Sequence, residues 1–200
     1  MSKIGKDLNL AASLLRQGGV ISFPTETVMG LAVIYDNYDA YIRLNRVKGR
    51  PEDKPYTLML GEVKDIKKYA LVDDKAKRII DAFLPGPLTL LLKAKENVPT
   101  WVTHNTSIIG VRVPNYPLVN ELINKVNKPL LVPSANPSNR PPALTVNQVS
   151  IYFNDTLDYI IDNDSIGETP STIVDLTKNE IKILREGKIN KETILKVLGD

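Results

Sequence analysis

Cysteine is absent from this 200-residue chain, which rules out disulfides, thiolate catalysis and cysteine-bound zinc and argues against a disulfide-stapled secreted module. Histidine occurs once, as His104 between Thr103 and Asn105. No triad-like pattern surrounds it, so a serine hydrolase would lack its base, and a surface loop position is the simplest expectation. An excess of charge is lacking too: 26 Lys plus Arg stand against 23 Asp plus Glu, and a net charge of +3 does not mark a nucleic-acid binder by itself. Any anion site must come from where the cations sit. No stretch approaches the roughly 20 apolar residues of a membrane span, and no long apolar run follows the opening residues. Neither anchor nor signal peptide is expected, and the cytoplasm is the expected compartment. There is no internal repeat or low-complexity tract. The nearest thing to a linker, Pro133 to Leu144, is too short to separate two domains.

Hydrophobic residues make up 42% of the chain, enough for a sizeable core in one domain spanning 1–200. Leu8, Ala11, Ala12 and Leu15 follow helical spacing after Asp7, and Gly18-Gly19 can end that helix before the apolar run Val20–Phe23. Helical spacing recurs at Ala40/Leu44/Val47, Ala76/Ile79/Ile80/Phe83, Leu118/Leu122/Val126 and Val149/Tyr152/Phe153. Strand-like runs lie near Thr57–Leu60, Leu88–Leu92, Ile108–Val113, Leu130–Val132, Tyr159–Ile161, Thr172–Leu176 and Ile181–Leu184. Interleaved helices and strands predict an α/β layered domain, because each helix needs a sheet face for its apolar stripe. The C-terminal strands follow one another without intervening helices, which predicts a twisted mixed sheet flanked by helices. Asn190 is the expected cap of a last, structural helix carrying Ile194, Leu195 and Leu198.

Four polar clusters end apolar runs, where open α/β sheets place their ligands. Pro24-Thr25-Glu26-Thr27-Val28-Met29-Gly30-Leu31 can bind a polar ligand through its hydroxyls and carboxylate, or cap a helix. Lys48-Gly49-Arg50-Pro51-Glu52-Asp53-Lys54-Pro55 places three cations within seven positions on a stiff loop, suited to gripping phosphates or simply solvated. No Gly-x-x-x-x-Gly-Lys-Ser/Thr pattern occurs, so side chains rather than a P-loop would hold a nucleotide. Arg112 lies inside an apolar run, aimed either at an anion such as a substrate carboxylate or at one of the protein's own acids. Val132-Pro133-Ser134-Ala135-Asn136 runs into small polar side chains, and without a histidine partner Ser134 is better read as binding than as a nucleophile. Ser171-Thr172 and Arg185 add hydroxyls and a cation near strand termini.

In this order, six strings resemble the YrdC-like family of threonylcarbamoyl-AMP synthases: Phe23–Val28, Lys48–Pro51, Pro85-Gly86-Pro87-Leu88-Thr89, Val111–Pro114, Pro133–Asn136 and Ser171–Ile173. The resemblance runs from about Gly18 to Gly187. It implies a single twisted α/β domain with a concave basic cavity, in the short form without a further C-terminal domain. The implied substrates are L-threonine, bicarbonate or carbon dioxide, and ATP, with Mg²⁺ on the triphosphate. The implied product, threonylcarbamoyl-AMP, passes to a threonylcarbamoyl transferase complex that modifies tRNA. Thr27, Arg112, Ser171 and the backbone at Val132 match threonine contacts. Arg50, Lys54, Ser134 and Arg185 match ATP contacts, and Asn136 goes with them. Lys48 and Arg50 would help electrostatically, with no covalent nucleophile. Met29, Met59 and Pro142 depart from residues the family often carries. The rival readings are a non-catalytic module binding double-stranded RNA or tRNA, and a divergent paralogue on the same fold.

Overall fold

Successive strand residues point to opposite faces, and here the alternation divides the apolar side chains between two cores. In the computed structural model, which describes residues 2–49 and 55–199, the strands are β1 (Lys3–Gly5), β2 (Ile21–Phe23), β3 (Gly30–Ile34), β4 (Thr57–Met59), β5 (Leu88–Lys93), β6 (Ile108–Arg112), β7 (Leu130–Val132), β8 (Tyr159–Ile161), β9 (Thr172–Asp175) and β10 (Lys182–Arg185). The helices are α1 (Leu8–Arg16), α2 (Tyr38–Lys48), α3 (Ile66–Tyr69), α4 (Asp74–Phe83), α5 (Thr100–Thr103), α6 (Pro117–Val126), α7 (Val146–Phe153) and α8 (Lys191–Leu198). Ala32, Ile34, Leu130 and Val132 pack with Leu15 of α1 and Leu122 and Val126 of α6. Their neighbours Leu31, Val33 and Leu131 pack instead with Leu44 of α2, Ile79 of α4 and Val149 of α7. Helices therefore cover both faces, and the central strands are buried throughout.

The sheet order is β1-β8-β2-β3-β7-β4-β6-β5-β9-β10. β1 and β2 both run parallel to β8, β4 runs parallel to β6, and β5 parallel to β9. The pairs β2/β3, β3/β7, β4/β7, β5/β6 and β9/β10 are antiparallel. This is the mixed sheet that the closely spaced C-terminal runs predicted. No helix among the described residues is long and apolar enough to cross a membrane.

Asp7 starts α1 as expected: its side chain accepts from the backbone N–H of Asn9 at 2.8 Å and of Leu10 at 3.1 Å. Asp7→Ala should lower stability by about 1 kcal/mol, or about 2–4 °C in Tm; an unchanged thermal unfolding curve would show that the cap contributes nothing. The helix-cap alternative for Pro24–Leu31 is wrong. Residues 24–29 form a loop that turns the chain from β2 into the unforeseen antiparallel strand β3, which takes in Gly30 and Leu31, with Phe23 paired to Gly30. The last strand begins one residue later than expected and ends at Arg185, where the register against β9 shifts.

Candidate functional site

The β2–β3 loop closes back on itself through its hydroxyls. Thr25 Oγ1 donates to the Val28 carbonyl at 2.8 Å and accepts the Thr27 N–H at 3.0 Å. Its one proton is thereby used, so in the 2.8 Å contact between the two hydroxyls Thr27 must be the donor. Thr27 Oγ1 in turn accepts from Arg112 Nη2 at 3.0 Å. Thr27 can therefore only accept from a ligand. The loop is pressed from outside by Gly167, where an added Cβ would collide with the carbonyl oxygens of Glu26 and Thr27.

This loop forms one wall of a cavity of about 180 Å³ whose other residues come from strands in the middle of the sheet and from β10. Thr57 and Met59 come from β4, Thr89 from β5, Arg112 from β6, Val132 from β7 with Ser134 just beyond it, Ile173 from β9 after Ser171, and Arg185 from β10. Among the described lining residues the cations are Arg112 and Arg185. Arg112 is only 6% exposed, and its Nη2 lies 2.8 Å from Glu26 Oε1. Of the two readings of Arg112 from sequence, the pairing with an acid of the protein is the one seen, and the arginine also lines the cavity. Arg112 Nε and Glu26 Oε2 are buried without a hydrogen-bond partner. Such groups cost about 1–3 kcal/mol each when left alone, more when charged, and of the two residues Arg112 lines the cavity while Glu26 stands behind it.

On the far side, Arg185 Nε donates to the Ser171 carbonyl at 2.9 Å and Nη2 to Ser171 Oγ at 3.2 Å. Ser171 Oγ also shares a 2.9 Å hydrogen bond with Thr89 Oγ1. Whichever of the two donates, one hydroxyl proton of the pair remains for a ligand. Burial first, and then the like charge of Arg112, pulls the Arg185 guanidinium below its ordinary value. An anion beside it would offset the repulsion from Arg112.

The structure brings Thr27, Arg112, Val132, Ser134, Ser171 and Arg185 to one cavity. Two expected site residues lie elsewhere. Lys48, 3% exposed, is not among the lining residues; its ammonium donates to the carbonyls of Ser134 at 2.8 Å and Asn136 at 2.7 Å and to Asn136 Oδ1 at 3.0 Å. Asn136 Nδ2 donates to the carbonyls of Pro137 at 3.0 Å and Arg140 at 2.7 Å, and its Oδ1 also accepts from the Ser134 hydroxyl at 2.6 Å. A buried cation placed in this way holds the Ser134–Asn136 loop in shape. Arg50 and Lys54 lie outside the described residues.

Met29 and Met59 line the cavity and Pro142 does not. His104 caps the end of α5, where its Nε2 is 3.2 Å from the Tyr41 hydroxyl, and it is not a lining residue. Thr25, Thr89 and Glu26 received no individual role from the sequence. Thr89 stood in one of the quoted strings, but its meeting with Ser171, 82 positions away, is a product of the β5/β9 pairing. No cluster of three His, Asp or Glu side chains suited to a metal occurs among the described residues.

The chain is 34% identical over 198 residues to the threonylcarbamoyl-AMP synthase of Pyrococcus abyssi, covering 96% of this chain and 57% of that protein. It thus spans little more than half of that relative's length. It is 38% identical over 175 residues to the threonylcarbamoyl-AMP synthase of Pseudomonas aeruginosa, covering 86% of this chain and 93% of that protein. The crystal structure of P. abyssi Sua5 complexed with L-threonine superposes with a TM-score of 0.93 at 31% identity, over 100% of this chain and 61% of that one. The family Sua5/YciO/YrdC, described as telomere recombination, matches residues 13–187. With that match over most of the sequence, and with such relatives aligned along it, the chain belongs to the Sua5/YciO/YrdC family.

Proposed function

We propose that this domain is a threonylcarbamoyl-AMP synthase, which joins L-threonine, bicarbonate and ATP into threonylcarbamoyl-adenylate and releases pyrophosphate. The observation that carries the reading is the buried Thr27–Arg112–Glu26 constellation, which leaves an unpartnered arginine nitrogen beside a cavity of amino-acid size. The fit to the P. abyssi protein complexed with L-threonine supports it, as does the name of the P. aeruginosa relative, of which this chain spans nearly the whole length.

In this reading the threonine carboxylate lies on Arg112, and Thr27, which can only accept, accepts a hydrogen bond from the ammonium or the hydroxyl of the amino acid. Ser171 and the backbone at Val132 complete that end. The amine, once deprotonated, bonds to the carbon of carbon dioxide, or of bicarbonate with loss of water. A carbamate oxygen then bonds to the α-phosphorus as the bond to pyrophosphate breaks. Both reactants are anions, and Arg185, with Arg50 and Lys54, offsets their repulsion as charge develops on the phosphoryl oxygens. Ser134 faces the nucleotide, while Lys48 and Asn136 act on it by holding the Ser134 loop. Mg²⁺ enters as part of the substrate, carried on the triphosphate. No covalent nucleophile is needed, since positioning and electrostatics together supply on the order of 10 kcal/mol. The product is an activated acyl-adenylate, to be consumed in the cytoplasm by a transferase that modifies tRNA.

The test is incubation with ¹³C-bicarbonate, ATP, Mg²⁺ and L-threonine, followed by mass spectrometry. A threonine-dependent adenylate carrying the label is expected, and an adenylate without the labelled carbon would refute the carbamate step.

A further inference from the structure

We propose that Glu26 is the positioning residue of the amino-acid end of the cavity, anchoring Arg112 so that the unheld part of its fork receives a substrate carboxylate. The proposal rests on the threonine reading above. Its starting point is an asymmetry in how Arg112 is held. Two acceptors from consecutive residues of one loop, Glu26 Oε1 at 2.8 Å and Thr27 Oγ1 at 3.0 Å, converge on the same nitrogen, Nη2. The buried Nε has neither. A guanidinium carries five N–H donors in a rigid plane, so fixing one nitrogen orients the whole fork and leaves the remaining donors for a ligand.

Glu26 is itself fixed from two directions. Its Oε1 accepts the Asn115 N–H at 3.1 Å, three positions beyond Arg112 on the same stretch of chain. Its backbone is packed against Gly167. The carboxylate therefore links the β2–β3 loop to the end of β6 and transmits their spacing to the arginine between them. Stability is a poor explanation for the pair. Both side chains are under 10% exposed, and Glu26 Oε2 has no partner. A buried ion pair with an unsatisfied oxygen gains little over a well-packed apolar pair.

Orientation and simple electrostatics give opposite expectations, which makes the proposal sharp. If Glu26 only set the local charge, replacing it with a neutral residue would strengthen the attraction of Arg112 for a carboxylate and lower the KM for threonine. If Glu26 orients the fork, the same replacement weakens threonine binding although the site has become more positive.

The experiment is the steady-state kinetics of Glu26→Gln, with threonine and ATP varied in turn, alongside calorimetric titration of L-threonine into the same proteins. The KM for threonine should rise by about tenfold, as expected when a charge-assisted contact becomes a neutral one, with the KM for ATP changed less than about twofold. In an Arg112→Lys background, where the fork is gone, adding Glu26→Gln should change the threonine KM by less than about twofold, because the residue acts only through the arginine. An unchanged or lowered threonine KM, an equal rise in both KM values, or full additivity with Arg112→Lys would overturn the proposal. If Glu26→Gln fails to fold, Glu26→Asp, which keeps the charge and shortens the reach, gives the same reading: a raised threonine KM supports orientation and an unchanged one contradicts it. Wild-type protein that binds threonine without turning it over would sink the synthase reading, and the dissociation constants of the variants would then decide the role of Glu26. Wild-type protein that does not bind threonine would overturn both.

Discussion

Arg112→Ala is expected to lower kcat/KM for L-threonine by about 100-fold or more, since in the proposed reading it removes the charge-assisted contacts to the substrate carboxylate. The effect on stability must be separated from the effect on catalysis. Truncating the arginine leaves Glu26 as a buried carboxylate without its cation, which costs about 3–5 kcal/mol. In a chain of 200 residues that corresponds to a fall of about 6–20 °C in Tm. Assays belong well below that transition. The double variant Arg112→Ala/Glu26→Ala should recover much of the lost stability, because neither charge is left unpaired, and should recover none of the activity. A single variant that still saturates normally with threonine would contradict the carboxylate role.

The second large effect is expected at Lys48, read from sequence as an electrostatic aid to the reaction, whose buried ammonium donates into the Ser134–Asn136 loop. Lys48→Met keeps most of the side-chain volume and removes the donor from two backbone carbonyls and the Asn136 amide oxygen. The expected loss is about 3 kcal/mol, or about 6–12 °C in Tm. The ATP requirement should suffer as well, because Ser134 is held by the same carbonyl and amide contacts. A KM for ATP raised about tenfold with Tm lowered is the expected combination. A raised KM without any loss of stability would mean that the ammonium touches the nucleotide directly.

The way these residues meet explains what could be read beforehand and what could not. Period-two and helical spacing depend only on neighbours in the chain, so Leu130–Val132 and Tyr159–Ile161 emerge with the bounds they have in the sheet. β1 was invisible because Lys3-Ile4-Gly5 carries no apolar alternation and exists only by pairing with β8. β3 was hidden inside a cluster whose Thr and Glu residues read equally well as a helix cap. The chain past Met29 is a strand because its residues pack alternately into both cores. The polar strings pointed to the cavity, since Thr27, Arg112, Ser134, Ser171 and Arg185 do line it. Residue type could not say which polar group serves another polar group. Glu26 meets Arg112 and Lys48 meets Asn136 only because the sheet brings together segments 86 and 88 positions apart.

The most direct test is pyrophosphate release by the purified chain with ATP, Mg²⁺, bicarbonate and L-threonine, leaving out each in turn. Release that stops when any one substrate is omitted is the expected result. Release that continues without threonine, or none at all from folded protein that binds RNA, would contradict the synthase assignment.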